Sequence, residues 1–252
     1  MTDRYERQRA LAQIGEEGQR RLAKKQVTVI GAGGLGSPVL TYLAQAGVGT
    51  LRLVEFDTVG ITNLNRQFLY TEKDVGRKKS AAAREKLALL NSEILVEVRD
   101  AELTKENAEE LIGGADVVVS CLDCISARLI VDEVCIRKKI PVVEGGVSGF
   151  FGFVLCVGGG GPCLECLGYD AAMDQKEIPA LGAVAGVIGS LQAAECLKIL
   201  LGAGEPLYGR LLQYDGISGT FDEIEVKRNE ACRLHRRAEA GGEQQKRAEV
   251  SR

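Results

Sequence analysis

The chain has 252 residues and a formal net charge of −3, so it is long enough for one large α/β domain with a full core. This charge argues against nucleic acid or an acidic membrane surface as a general partner. No apolar run is expected to reach the roughly 18 residues of a membrane span. The N-terminus is charged from Asp3 onward, and we expect a soluble, cytoplasmic protein.

The first predicted elements surround a glycine-rich turn. Residues 2–25 are polar and have the composition of a solvated helix, and residues 27–30 form a β-branched strand. An apolar helix follows over residues 38–46. The glycines between them are Gly31, Gly33, Gly34 and Gly36. Such a turn lets backbone amides and a helix dipole bind a phosphate, although a tight turn without a ligand explains the same glycines.

A second strand, residues 51–57, ends in the acids Glu55 and Asp57. An acid about 20 residues after the glycines suits a ribose hydroxyl. Cations follow in the segments NLNRQ (63–67) and VGRKK (75–79), and the latter opens a helix that runs to about Leu90. A triphosphate site needs such cations and an ordinary dinucleotide site does not. The alternative is that Arg66, Arg77, Lys78 and Lys79 are surface charges.

Three more strands alternate with helices, as in a parallel sheet. We predict these strands over residues 94–99, 117–121 and 141–144, with a helix over 126–138. The strand at 117–121 is largely apolar, which is typical of a buried parallel strand. It delivers Asp123 to the carboxyl edge of the sheet, where ligands of open α/β folds bind.

The second half of the chain departs from this alternation. A long strand over 149–157 is not followed by a helix, an apolar helix covers 186–201, and strands at 210–214 and 220–226 are expected to pair antiparallel. We therefore predict a Rossmann-like doubly wound α/β sheet, parallel in its first half and mixed in its second, with helices on both faces. Residues 1–235 form one domain, and the charged residues 236–252 form a disordered tail.

Two cysteine motifs share a two-residue gap. Cys163 and Cys166 follow a glycine run, and Cys232 is followed by His235, the only histidine. Three sulfurs and one imidazole make a tetrahedral zinc site. Another pair, Cys121 and Cys124, has its first member in a buried strand, and we interpret it as coincidence. The remaining cysteines are interpreted as small core residues, Cys135, Cys156 and Cys196.

Together the motifs resemble the sulfur-carrier-protein adenylyltransferases of the MoeB/ThiF/HesA family, bacterial relatives of ubiquitin-activating enzymes. The resemblance runs from Arg4 to His235. The motifs occur in the family's order and spacing: RYERQ, GAGGLGS, EFD, NLNRQ, VGRKK, CLDC followed by Arg128, CLEC, GVIGSLQA and the terminal cysteine motif.

The resemblance implies roles for individual residues. Gly34 lies under the phosphates of ATP, and Glu55 takes the ribose position where the family usually has an aspartate, with Asp57 after it. The triphosphate is lined by Asn63, Arg66 and Gln67 and held by Lys79, and Asp123 binds Mg²⁺. Arg7 resembles an arginine that enters the neighbour's site in a homodimer. The family's structural zinc positions match Cys163, Cys166, Cys232 and His235, with histidine replacing the last cysteine.

Two departures concern the chemistry after adenylation. Cys124 follows Asp123 where the family has asparagine. Family members that form a thioester carry a cysteine near the position of Gln175, and residues 169–184 contain none. We therefore predict that the reaction stops at the acyl-adenylate.

The implied reaction is ATP-dependent adenylation of the C-terminal glycine carboxylate of a small ubiquitin-like sulfur carrier ending in Gly-Gly, with release of pyrophosphate. A persulfide donor then displaces AMP in thiamine or molybdopterin synthesis. Three alternatives stay open at this point. They are an enzyme that adenylates a peptide or tRNA-linked carboxyl, a nicotinamide-dependent oxidoreductase, and a non-catalytic scaffold.

Overall fold

The computed structural model describes residues 4–175 and 178–239, and these residues build one eight-stranded sheet. The strand order is β3-β2-β1-β4-β5-β6-β7-β8. The strands are β1 (Gln26–Ile30), β2 (Thr50–Val54), β3 (Leu95–Arg99), β4 (Val117–Ser120), β5 (Val142–Ser148), β6 (Phe151–Val157), β7 (Arg210–Asp215) and β8 (Thr220–Glu225).

Helices cover both faces of the sheet. They are α1 (Glu6–Arg9), α2 (Gly15–Leu22), α3 (Gly36–Gln45), α4 (Lys79–Leu90), α5 (Ala108–Ile112), α6 (Ile125–Lys138), α7 (Gly182–Leu201) and α8 (233–239). Along β4, Val117 and Val119 belong to one hydrophobic cluster and Val118 to the other. This alternation shows that the central strands are buried on both sides, which explains their continuous apolar sequence.

The sheet changes from parallel to antiparallel after β5. Strands β1 to β5 pair in parallel, whereas β6, β7 and β8 pair antiparallel. A two-residue connection joins β5 to β6, and Gly149 within it has a φ of 60°. The predicted fold class is confirmed, including the change to antiparallel pairing. This arrangement brings the carboxyl ends of β1, β2, β4 and β5 to one edge of the sheet.

The ends of the chain differ from the expectations. The predicted N-terminal helix is two helices, α1 and α2, and the second packs through the buried Leu22. The predicted disordered tail begins at 236, but residues 233–239 are helical, so this prediction is wrong for 236–239. Residues 240–252 of that tail lie outside the described residues.

Helix α7 is 20 residues long and begins at Gly182, four residues before the predicted start. Within the part of the chain that the structure describes, it alone is long and apolar enough to cross a membrane, so our expectation that no run reaches that length is wrong. More than half of its apolar stretch, 56%, is buried within the protein. The helix packs against α3, β5 and β6, which is the environment of a core helix.

Candidate nucleotide site and metal cluster

The glycine turn between β1 and α3 is closed tightly against the end of β4. Gly31 has a φ of 96°, and a Cβ on it would lie 2.7 Å from the Cys121 carbonyl oxygen. A Cβ on Gly36 would lie 2.1 Å from the Gly31 carbonyl oxygen. Gly33 and Gly34 are different, because the nearest atoms to a Cβ there are side-chain atoms 3.4 Å or more away. Gly31 and Gly36 therefore shape the turn, while Gly33 and Gly34 form its open face.

Glu55 ties this turn to the end of β2. It is buried, one carboxylate oxygen accepts a hydrogen bond from the Ala32 amide at 2.8 Å, and the other accepts one from the Asp57 amide at 2.8 Å. Tyr70 adds a hydrogen bond from its hydroxyl to the Ala32 carbonyl oxygen. Carboxylate oxygens retain further lone pairs, so Glu55 can still accept a ribose hydroxyl. Contact of Glu55 or Asp57 with a ribose stays a prediction.

Lys79 is buried beside Asp57. Its Nζ lies 3.0 Å from Asp57 Oδ2, and its side chain is 6% exposed while that of Asp57 is 52% exposed. The alternative that every cation after β2 is a surface charge is therefore wrong for Lys79. The surface-charge alternative does hold for two neighbouring cations. Lys78 pairs with Asp100 at the surface, and Arg77 pairs with Asp74 and Glu85.

The segment NLNRQ places two side chains on the open face of the turn. Asn63 folds it, because its side-chain oxygen accepts from the Gly60 amide and its carbonyl oxygen accepts from the Arg66 and Gln67 amides. A Cβ on Gly34 would lie 3.5 Å from Arg66, and one on Gly33 would lie 3.5 Å from Gln67.

Gln67 carries an unsatisfied polar atom at this site. The side chain is buried, and its Oε1 has no hydrogen-bond partner among the described residues. Buried polar atoms are rarely left unpartnered, so this oxygen points to a ligand or an ordered water. Arg66 donates from Nη1 to the Thr62 carbonyl oxygen and to Asn65, which leaves other guanidinium donors for an anion.

Asp123 lies just beyond β4, two residues after Cys121, which contacts the glycine turn. Its side chain is exposed, and no hydrogen bond or ion pair with another described residue engages its carboxylate. Magnesium prefers carboxylate and phosphate oxygens. The glycine face, the cation Lys79, the unpartnered Gln67 and a free carboxylate therefore fit a nucleoside triphosphate with its divalent cation.

Arg7 does not join these residues within one chain. It is exposed on α1, and within residues 4–175 and 178–239 no hydrogen bond or ion pair links it to the site. The neighbouring Gln8 fixes the helix by donating to Gln19 and to the Ala46 carbonyl oxygen. A contact of Arg7 with the site of a second copy stays a prediction.

The four predicted metal ligands form a compact cluster. The ligand atoms of Cys163, Cys166, Cys232 and His235 all lie within 4.8 Å of one another. Cys163 Sγ is 3.7 Å from that of Cys166 and 3.6 Å from that of Cys232. His235 Nε2 is buried without a hydrogen-bond partner in the described chain. The cluster fits a metal ion, because an unpartnered imidazole nitrogen and three sulfurs converge.

Burial sets the protonation of this cluster when no ion is bound. It raises the pKa of the Cys232 thiol to about 11 and raises that of Cys163 as well. Burial also lowers the pKa of His235, which keeps the imidazole neutral and able to bind a metal. Thiolate formation therefore depends on the ion, whose binding releases protons.

The other cysteines take no part in a described metal cluster. Cys121, Cys135, Cys156 and Cys196 are buried, as expected for core residues. Cys124 Sγ lies 2.8 Å from Ser126 Oγ and 3.2 Å from Asp174 Oδ2. Asp174 also accepts from the Ile125 amide and thereby caps α6, a contact that the sequence analysis missed because the partners are 49 residues apart.

The sequence profile of the ThiF family matches residues 5–234. The chain belongs to the ThiF family. This ThiF-family chain is 43% identical over 241 residues to a sulfur carrier protein adenylyltransferase of Thermus thermophilus, with 91% of this chain and 89% of that protein covered. It is 39% identical to a SAMP-activating enzyme E1 of Haloferax volcanii, with 91% and 87% covered.

Two further similarities cover the other protein only in part. An adenylyltransferase and sulfurtransferase MOCS3 of Aedes aegypti is 38% identical, and the match covers 90% of this chain and 54% of that protein. The crystal structure of E. coli MccB with ATP superposes with a TM-score of 0.82 at 24% identity, covering 93% of this chain and 74% of that one. The latter similarity concerns the fold alone.

Proposed function

We propose that this ThiF-family protein adenylates the C-terminal glycine carboxylate of a small ubiquitin-like sulfur carrier that ends in Gly-Gly. The observation that carries the proposal is the open glycine face bordered by Arg66 and by Gln67, whose buried oxygen has no partner. The named activities of the Thermus and Haloferax relatives support it. A nicotinamide site would not need the buried Lys79.

In the proposed reaction, a carboxylate oxygen of the carrier attacks the α-phosphorus of ATP and pyrophosphate leaves. The protein mainly positions the reactants and stabilises the developing charge. Gly33 and Gly34 let the phosphates approach the backbone, and Arg66 and Lys79 neutralise their oxygens. Asn63 holds the segment that carries Arg66. Glu55 and Asp57 place the ribose.

Magnesium, when bound at Asp123, supplies further neutralisation of the phosphate oxygens. Zinc at Cys163, Cys166, Cys232 and His235 has a structural role, because protein ligands fill all four positions. A persulfide donor acts after adenylation and displaces AMP from the carrier. We place the protein in the cytoplasm, within thiamine or molybdopterin synthesis.

An exposed apolar patch supports a protein substrate. Phe150 directly precedes β6 and Phe151 begins it, at the carboxyl edge of the sheet, and they are 45% and 46% exposed. Phe151 pairs with Asp215 at the end of β7, and the exposed Ile217 follows in the turn to β8. Exposed apolar patches commonly mark protein interaction sites. We propose that the carrier docks here and extends its C-terminus toward Asp123.

A homodimer is supported by two apolar grooves on the outer face of α3 and α7. They enclose about 570 and 330 Å³, and Tyr42 and Ser190 line both. Gln8 lines the smaller groove, so α1 with Arg7 lies beside it. A second copy seated on this face would bring its own α1, and with it Arg7, to the neighbouring chain.

The deciding experiment is ATP–pyrophosphate exchange with purified carriers ending in Gly-Gly, followed by intact mass under non-reducing conditions. We expect exchange that depends on the carrier and a carrier adenylate without a thiol-sensitive adduct to the enzyme. A carrier truncated by its last glycine is the control. If a free peptide supports exchange and none of the carriers does, the proposed substrate is contradicted. A thiol-sensitive adduct between enzyme and carrier would contradict the predicted absence of a thioester step.

A further inference from the structure

A buried arginine holds the peptide that precedes Asp123. Arg128 lies in the first turns of α6 with 8% of its side chain exposed. Its Nε donates to the Leu122 carbonyl oxygen at 2.7 Å, and its Nη2 donates to the same oxygen. Two donors on one carbonyl oxygen fix the direction of the peptide that joins Leu122 to Asp123.

The direction of Arg128 is itself fixed by a buried acid. Its Nη1 lies 3.8 Å from Glu144 Oε2, and Glu144 is fully buried on β5. Neither oxygen of Glu144 has a hydrogen-bond partner among the described residues. Arg128 is itself a buried cation, so moving it away from Glu144 would leave the guanidinium without this acidic neighbour, which is unfavourable.

A second contact holds the other side of Asp123. Asp174 accepts hydrogen bonds from the Ile125 amide at 2.5 Å and from the Ser126 amide. Leu122 and Ile125 are therefore both anchored, and Asp123 lies between them. The Asp123 carboxylate is exposed and forms no hydrogen bond or ion pair with the described residues, so its direction depends on these anchors.

We propose that Arg128, oriented by Glu144, is a positioning residue that aims the Asp123 carboxylate at the divalent cation accompanying ATP. The proposal rests on the proposed function, which assigns the cation to Asp123. The two donors on the Leu122 carbonyl oxygen act on the peptide next to the carboxylate, which is the place where a positioning residue must act. Lysine in its place keeps the charge facing Glu144 but loses the paired donors.

The test measures Mn²⁺ binding to the protein in the presence of a non-hydrolysable ATP analogue, by electron paramagnetic resonance. Arg128→Lys is expected to weaken Mn²⁺ binding about 10- to 100-fold, as is usual when an outer partner of a metal ligand is lost. Binding of the analogue without metal and the thermal unfolding temperature are expected to change little. Arg137→Lys is the matched control, because Arg137 lies on the same helix and forms an exposed ion pair with Glu109.

Asp123→Asn separates the possible failures. If it weakens Mn²⁺ binding and Arg128→Lys does not, the positioning role is overturned while the proposed cation site stands. If neither substitution weakens binding, the assignment of the cation to Asp123 fails and this inference fails with it. Should Arg128→Lys not fold, Glu144→Gln is measured instead. It is expected to weaken Mn²⁺ binding in the same direction, and unchanged binding overturns the proposal.

Discussion

Lys78 and Lys79 are adjacent in the chain and have opposite environments. Helix α4 begins at Lys79, which turns that side chain inward to Asp57, while the Lys78 side chain is 50% exposed and contacts Asp100. The sequence motif predicts a cation at this place but does not distinguish the two lysines. The direction of the first helical residue decides which of them lies in the site.

The pair provides a matched test of the proposed phosphate contact. Lys79→Ala is expected to lower the rate of ATP–pyrophosphate exchange by about 100-fold or more, because charge on the leaving pyrophosphate loses a buried partner. Lys78→Ala is expected to leave the rate close to that of the unsubstituted protein. Pyrophosphate-exchange assays sampled at fixed times, at saturating carrier, give both rates, and circular dichroism checks the fold. Equal rates for the two variants would refute the role of Lys79.

Other residue-scale contacts were beyond sequence reasoning. The acids at 55 and 57 are predicted as ribose ligands from their distance to the glycines, but the hydrogen bonds of Glu55 to the Ala32 and Asp57 amides depend on how two loops meet. A buried acid in the strand at 141–144 is a signal that a cationic partner exists. It does not select Arg128, whose pairing with Glu144 depends on how α6 packs beside β5.

At the scale of elements, the cysteine cluster joins two distant segments. The loop after β6 supplies Cys163 and Cys166, and the segment that ends in α8 supplies Cys232 and His235. Spacing predicts the four ligands well, because each pair has a two-residue gap. It does not predict α8, whose sequence is highly charged and has no clear apolar face. Leu234 and His235 are buried, so packing on the cluster accounts for the helix.

His235 tests whether the cluster is structural. His235→Ala is expected to reduce zinc content and the unfolding temperature more than the rate of carrier adenylation, because three ligands bind zinc less tightly and none of the four ligands is among the proposed nucleotide contacts. His235→Cys restores four ligands and is expected to recover zinc content. Metal analysis and thermal unfolding measure these effects. The structural role would be disproved if His235→Ala kept full zinc and full stability.

At the scale of the whole molecule, the alternation of strands and helices predicts the sheet. Continuous apolar strands predict burial on both faces of the sheet. The strand predicted over 149–157 is not followed by a helix, and this predicts the antiparallel half. The length of α7 was underestimated, because Gly182 and its neighbours lack large apolar side chains. Composition alone also cannot show whether such a helix lies in a membrane or a core. Packing of α7 against α3 and the sheet supplies that answer.

A dimer formed through the outer face of α3 and α7 can be tested by measuring catalysis. Arg7 is exposed on α1 beside the smaller groove, whereas Asp123 lies at the sheet edge of the same chain. If Arg7 acts on the site of a second copy, Arg7→Ala and Asp123→Ala homodimers each lack one group at every site. A mixed dimer then contains one site with both groups. Mixing the two inactive proteins is therefore expected to restore carrier adenylation.

The measurement is pyrophosphate exchange after the two variants have been mixed in equal amounts and allowed to exchange subunits. Random pairing gives about half mixed dimers, each with one of two sites intact, so about a quarter of the unsubstituted activity is expected. Arg20→Ala, which removes an exposed arginine from α2, is the matched control and is expected to be active without mixing. Size-exclusion chromatography with light scattering confirms the dimer. A dimer that regains no activity on mixing would show that Arg7 does not contribute to the partner's site.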